Sequence, residues 1–158
     1  LRVQGDSGIG ADNNTETWFP NKYSGFEASI PLADYVEAQL IIAEGELQAS
    51  AFGAMTQRLN DLRDLIGLAP FADPADLVSA TDLLFVERAF WLFATGHRLG
   101  DMRRLIRQYG RDPETVFPTG ESFKGFTYGT DVNLPLPRRE ANNPNLPETT
   151  DGCLNRDA

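Results

Sequence analysis

The chain has 158 residues and 41% hydrophobic residues, which suits one globular domain or part of a larger one. Its 14 basic and 23 acidic residues give a formal net charge of -9, which argues against a nucleic-acid-binding protein. The single cysteine, Cys153, excludes an internal disulfide framework and a cysteine-based zinc site within this chain.

The N-terminus carries no targeting signal that can be recognised. The N-terminus lacks a methionine and a signal-peptide pattern, so we expect a processed chain or a piece of something longer. No apolar run is long enough for a membrane-spanning helix.

Residues 1–30 are rich in Gly, Asp, Asn, Ser and Thr and show no clean period. This composition predicts an irregular arm whose scattered aromatic residues pack on another part of the chain. Residues 6–16 offer oxygen atoms that suit calcium, but the spacing of an EF-hand is absent. We therefore predict no cofactor and no metal site, with calcium as the alternative.

Residues 31–110 show helical periodicity in four places. The predicted helices cover about 32–49, about 53–66, a third that begins near Asp73 or Ser79 and includes 83–93, and about 97–109. The third is apolar nearly all round, which predicts a central helix covered on most sides. Residues 111–158 hold six of the ten prolines, which predicts a non-helical wrap.

The predicted fold class is therefore mainly α, with stacked helical hairpins like those of tetratricopeptide (TPR) repeats and long irregular N- and C-terminal segments. Residues 1–158 form either a single domain or the C-terminal fragment of a larger one. Within them, 1–30 is the arm, 31–110 the two hairpins and 111–158 the wrap.

Glu87 and Arg88 lie inside the apolar third helix, and each needs a partner because burial of a lone charge is costly. Arg98 and Asp101, three residues apart in the fourth helix, can share one face. We predict a structural ion-pair network that locks the third helix against the fourth, with Glu37 or Glu44 as further partners. Its members are Glu87, Arg88, Arg98 and Asp101.

No constellation of residues points to catalysis. His97 is the only histidine, and the sequence offers it no companions for metal binding or nucleophilic catalysis. Glycine-rich phosphate-binding loops are absent. We therefore predict a protein that is not an enzyme, with no catalytic residues, a structural or solvent-exposed His97, and ligand-binding residues that cannot be named.

Four stretches, in order, resemble the C-terminal part of the SusD/RagB family of outer-membrane nutrient-binding lipoproteins. They are IPLADYVEAQLIIAEG at 30–45, LNDLR at 59–63, ERAFWLFATGHRLGDMRRL at 87–105, and LPLP at 134–137 followed by NPNL at 143–146. The chain departs from the family pattern at Thr95, where Glu is usual, and at Leu99, where Trp is usual.

The resemblance implies a TPR-like helical core and a lipid-anchored protein on the extracellular face of the outer membrane. It implies a partner, a TonB-dependent SusC-like transporter, to which such proteins deliver glycans or peptides without catalysis. Cys153 does not fill the role of the lipid-bearing cysteine, which belongs at the mature N-terminus. The alternative is a secreted or extracellular structural protein that self-associates into a polymer by exchanging its terminal arms.

Overall fold

The computed structural model describes residues 5–23, 25, 27–122, 124–129, 132 and 145. These residues form a mainly helical structure with one small antiparallel sheet, so the predicted mainly α class is confirmed. In chain order the elements are β1 (Gly5–Ile9), β2 (Glu16–Pro20), α1 (Tyr35–Gln48), α2 (Phe52–Asp64), α3 (Leu77–Trp91), α4 (Arg98–Arg107) and α5 (Pro113–Val116). The chain divides into two compact units, Leu1–Arg98 and Leu99–Ala158.

The N-terminal segment contains a β-hairpin, so the prediction of a wholly irregular arm over 1–30 is wrong. Strands β1 and β2 pair antiparallel, with Gly8 opposite Thr17. The hairpin forms because Asp12 organises the connection, where its carboxylate accepts hydrogen bonds from the backbone N–H groups of Asn14 and Thr15. A Cβ at position 8 would lie 2.9 Å from the ring edge of Phe19, so a larger residue there would displace this half-exposed ring.

Capping residues move the ends of the predicted helices. Helix α1 begins at Tyr35 rather than near residue 32, because the Asp34 carboxylate accepts a hydrogen bond from the backbone N–H of Glu37 and starts the helix there. Helix α3 begins after Asp76, which forms a reciprocal capping box with Ser79. Neither of the two predicted start residues is therefore the N-cap of α3.

The core of the first unit lies where α1 contacts both α2 and α3. In α2 the apolar residues Met55, Leu59 and Leu62 are buried, whereas Ile66, the last residue of the predicted helix, is beyond the end of α2 and exposed. The buried apolar side chains of the three helices are Leu40, Ala43, Leu47, Met55, Leu59, Leu62, Ala80, Leu84, Phe85 and Trp91.

Helix α3 is covered on most sides, as predicted, except along one stripe where Val86 is 50% exposed and Phe90 is 44% exposed. The prediction that the aromatic residues of 1–30 pack on another part of the chain is wrong for the hairpin, since Trp18 is 70% exposed and Phe19 is 50% exposed. Tyr23, after the hairpin, is half-buried.

The second unit contains most of α4, the short helix α5 and a bend beyond it. The one-turn helix α5 departs from the predicted non-helical wrap, because Asp112 caps it and Pro113 occupies its first turn. Glu121 and Thr127 form an isolated antiparallel bridge. The proline-containing stretch at 133–140 and Cys153 lie outside the described residues.

Candidate functional site

Glu87 is anchored in the interior of the first unit. Its side chain is fully buried, and Oε1 accepts a hydrogen bond from Nη1 of Arg63 at 2.8 Å. Its Oε2 accepts a hydrogen bond from the indole N–H of Trp91 at 3.0 Å. Arg63 is held further by the carbonyl oxygen of Ala69 at 2.7 Å and by the Phe71 ring, 3.9 Å from its guanidinium carbon. The ion pair of Arg63 and Glu87 therefore joins α2 to α3 and has a structural role.

Arg88 is buried beside Glu87 and points to a different helix. Its Nη1 lies 3.9 Å from Oε2 of Glu44 on α1, and both side chains are nearly inaccessible to solvent. Of the two acids of α1 considered from the sequence, Glu44 is the one that Arg88 contacts. The two buried charges of α3 thus connect this helix to α2 and to α1 respectively.

The remaining two residues of the predicted network are on α4. Asp101 is buried and accepts a hydrogen bond from Nη2 of Arg104 at 2.7 Å, one turn along the same helix. Arg98 is the first residue of α4 and is exposed. A network that includes all four predicted residues remains a prediction.

A cleft of about 440 Å³ opens at the end of the first unit where α1 begins and α3 ends. Its floor and walls combine apolar side chains with a small set of polar ones, as ligand-binding clefts commonly do. The apolar lining residues are Ile30, Pro31, Leu32, Val36, Trp91 and Leu92. The polar lining residues are Lys22, Tyr23, Ser29, Asp34, Glu37, Thr95 and His97.

Lys22 and Tyr23 fasten the segment after β2 to the end of α3. The Lys22 ammonium donates hydrogen bonds to the carbonyl oxygens of Trp91 at 3.3 Å and Phe93 at 2.7 Å. A cation at this position also complements the negative end of the helix dipole. The Tyr23 hydroxyl donates to the carbonyl oxygen of Ala94 at 3.4 Å. Burial lowers the pKa of Lys22, and the nearby Asp34 carboxylate partly opposes that shift.

His97 links the same end of α3 to the first turn of α1. Its Nδ1 lies 2.7 Å from Oγ1 of Thr95, and its Nε2 lies 3.1 Å from Oε1 of Glu37. Oγ1 of Thr95 is also 2.6 Å from the carbonyl oxygen of Leu92. The side chains of His97 and Glu37 keep about a third of their surface exposed, at 35% and 29%. His97 is therefore neither buried nor free in solvent.

Hydroxyl, imidazole and carboxylate in a row are the groups of a nucleophile, base and orienting acid. Here, however, the hydroxyl contacts the carbonyl oxygen of Leu92, directly after α3, and the row joins the segment that follows α3 to the first turn of α1. The arrangement is suited to holding two walls of the cleft together and to offering hydrogen bonds to a bound molecule. Glu37 keeps a second carboxylate oxygen for that purpose.

In the loop predicted as the alternative calcium site, the Asp12 carboxylate accepts hydrogen bonds from Asn14 and Thr15 of the same loop. The hydroxyl and backbone N–H of Thr15, together with the N–H of Asn14, lower the pKa of Asp12 to about 2. Over residues 5–23, 25, 27–122, 124–129, 132 and 145, no group of three or more His, Cys, Asp or Glu side chains is placed to hold a metal ion. Among the helices of those same residues, none combines the length and apolar character needed to cross a membrane.

Comparison of the chain with protein-family models, with curated proteins and with solved structures finds no match.

Sequence reasoning did not find the cleft. Its polar groups come from segments far apart in the chain, and His97 and Glu37 are separated by 60 residues. One local signal was present: Asp34 followed by Glu37 is the spacing of a helix N-terminus, which places Glu37 in the first turn of α1.

Proposed function

We propose that this chain is the C-terminal part of a SusD-like protein that captures an oligomeric nutrient, such as a glycan, without catalysis. The observation that carries the proposal is the cleft, which combines apolar walls with hydrogen-bonding side chains tied to the ends of α1 and α3. A sugar has both apolar faces and hydroxyl groups, so it can use both kinds of surface. The resemblance over residues 30–147 supports the same function.

The rest of the proposal follows from that resemblance. The protein would act at the extracellular face of the outer membrane, with a TonB-dependent SusC-like transporter as its partner. TPR-like stacking of the hairpins belongs to the same proposal, and it is supported by the contact of α1 with both α2 and α3. Recovery of such a transporter with the full-length protein from solubilised outer membranes would support this part, and cofractionation with the cytoplasm would contradict it.

Binding can be tested on the chain itself with a panel of neutral oligosaccharides, including maltoheptaose, cellohexaose and xylohexaose. The perturbing variant is Leu32→Arg, because Leu32 lines the cleft and is 100% exposed, so the change should not affect folding. The matched control is Leu65→Arg, at a residue that is 64% exposed and does not line the cleft. We expect calorimetry to show binding that Leu32→Arg weakens and Leu65→Arg preserves. Binding unaffected by Leu32→Arg would contradict the assignment of the cleft.

A second function has one specific observation in its favour. In the described N-terminal residues, β1 and β2 pair with each other and no third strand covers either edge. Exposed edges beside Trp18 and Phe19 are suited to pairing with a further strand. An extracellular structural protein that polymerises through its terminal arms would use these edges. Size-exclusion chromatography and electron microscopy distinguish the two functions, since filaments favour the polymer and a monomer favours ligand capture.

A further inference from the structure

The side of α1 that faces solvent carries no charge. All charged residues of this helix are acids, and each contacts a side chain of another segment; these acids are Glu37, Glu44 and Glu46. Their partners are His97 at 3.1 Å, Arg88 at 3.9 Å and Arg58 at 2.9 Å, respectively. A surface helix normally turns its charged residues to water. In α1 they are turned toward the rest of the chain instead.

The exposed residues of α1 form one uncharged stripe, which we name the outer face of α1. They are Tyr35, Ala38, Ile41, Ile42, Gly45 and Gln48. Steps of three or four residues connect them, so they share one side of the helix. Helix α2, in contrast, exposes the charged residues Asp61 and Asp64. The outer face of α1 is therefore suited to contact with another protein surface rather than with water.

Gly45, within this face, is not explained by the packing of its own chain. A Cβ at this position would meet no atom of the described residues within 4 Å, and the backbone here does not have a positive φ. Glycine inside a helix weakens that helix relative to alanine. Because neither a turn nor a close neighbour within the described residues requires it, the use that remains is to let another surface approach α1 closely from outside.

The shape of the outer face of α1 is complementary to itself. In an antiparallel pair of helices related by a two-fold axis, each contact of one residue with another occurs twice. With the axis between Ile41 and Gly45, the Ile41 side chain of each copy lies over Gly45 of the other copy. Packing of a large residue into the hollow left by a small one is the usual way in which two helices interlock.

The area of the outer face of α1 suits a weak complex. A large side chain presents on the order of 200 Å² when it is free. At exposed fractions of 62%, 60% and 45%, Tyr35, Ile41 and Ile42 present roughly 300 Å². The other residues of the face raise this to roughly 500 Å² per copy, or about 1,000 Å² for a pair, which is the size of reversible interfaces rather than permanent ones.

We propose that two copies of this chain form a weak, reversible dimer through the outer face of α1. The chain has a net charge of -9, so two copies repel each other on the whole, and an uncharged face is where that repulsion opposes apolar burial least. The two-fold axis closes the dimer, which therefore does not grow into filaments. Ile41, Ile42 and Gly45 do not line the cleft, so the dimer is separate from ligand capture.

The dimer is tested by sedimentation equilibrium of the chain from about 10 µM to about 1 mM. We expect the weight-average mass to rise from that of a monomer toward that of a dimer. Ile41→Glu places a charge on the outer face of α1, at a residue that is 60% exposed, so the monomer still folds. It should raise the dissociation constant at least about tenfold. The matched control is Leu65→Glu, at a residue that is 64% exposed and outside α1, and it should leave the dissociation constant unchanged.

A second variant, Gly45→Gln, separates association from folding. Glutamine favours a helix more than glycine does, and the space around Gly45 is open, so the urea midpoint of the dilute monomer should not fall. The new side chain fills the hollow that Ile41 of the second copy requires, so the dissociation constant should rise as it does for Ile41→Glu. Association of Gly45→Gln as strong as that of the wild type would overturn the proposal.

The dependence on salt distinguishes an uncharged interface from one made of ion pairs. Salt screens the repulsion between two acidic chains, so the dimer should become stronger as the ionic strength rises. Association that weakens with salt would come from charged surfaces elsewhere and would contradict the assignment to α1. A chain that stays monomeric at every concentration would also overturn the proposal, and would leave the outer face of α1 to a different protein.

Discussion

The ion pair between Arg63 and Glu87 should be strongly coupled, and a double-mutant cycle can measure this. Glu87 is fully buried and Arg63 keeps 11% of its side-chain surface, so solvent cannot replace either partner. Replacing Arg63 by Met leaves a buried carboxylate without its arginine, which costs about 3–5 kcal/mol. That is a large part of the roughly 5–15 kcal/mol that stabilises a typical domain.

The second single variant, Glu87→Gln, should cost less. The amide oxygen can still accept the hydrogen bond from the indole N–H of Trp91, but the amide NH₂ then faces the guanidinium. Arg63 loses its counter-charge yet keeps the Ala69 carbonyl oxygen and the Phe71 ring. We expect a loss of about 2–3 kcal/mol, which is the usual range for an unsatisfied buried group with partial compensation.

The double variant Arg63→Met, Glu87→Gln should be more stable than the sum of its parts predicts. It contains no buried charge at this place and keeps the bond to Trp91, so the total loss should be about 1–2 kcal/mol. The coupling energy is then at least about 3 kcal/mol. Urea unfolding followed by circular dichroism and tryptophan fluorescence measures all four corners. Additive losses, within about 0.5 kcal/mol, would refute the reasoning.

Four further predictions concern the hairpin, the cleft, the core and the cap of α3. Hydrogen bonds lower the pKa of Asp12 from its ordinary value of 3.8 to about 2, so their contribution to the stability of the β1–β2 connection should be complete above pH 3.8 and be lost as the pH falls through about 2. A ¹³C NMR titration of the carboxyl group checks this, with Asp12→Asn as the control. Because burial lowers the pKa of Lys22, the unfolded chain binds more protons at alkaline pH; the free energy of unfolding should therefore rise with pH just below 10.5 in the wild type and not in Lys22→Met. Leu59→Ala should cost about 2–5 kcal/mol in urea unfolding because Leu59 is fully buried, whereas a loss below about 1 kcal/mol would show that its surroundings collapse onto the cavity. Asp76→Ala, which removes the cap of α3, should cost about 1 kcal/mol in the same assay.

The helices were predictable because their signal is local. An apolar residue every three or four positions along α1 and α2 is enough to indicate a helix and the face it buries, and Leu59 and Leu62 are buried as that pattern requires. The ends of the helices were predicted less accurately, because a cap depends on which of several acidic or hydroxyl side chains accepts a hydrogen bond from a backbone N–H of the first turn. At α3 the side chain that does so is Asp76.

The hairpin was missed because its signal is weak. Strands β1 and β2 contain glycine, aspartate and proline, which are uncommon in strands, and neither strand has a buried face that would impose alternation. The strands are joined by the turn that Asp12 organises, and the Phe19 ring lies close to Gly8. Both are contacts between residues that composition alone does not bring together.

From the sequence alone it follows that this protein is a mainly helical, acidic chain whose charges at Glu87 and Arg88 require partners. Only the tertiary structure decides that the partners are Arg63 of α2 and Glu44 of α1. It also decides that Glu37 and His97 contact each other at the cleft. The physical reason is that periodicity reports which face of a helix avoids water, whereas an ion pair or a cleft depends on how two helices are placed in space. That placement is set by the packing of the whole core, to which every buried side chain contributes.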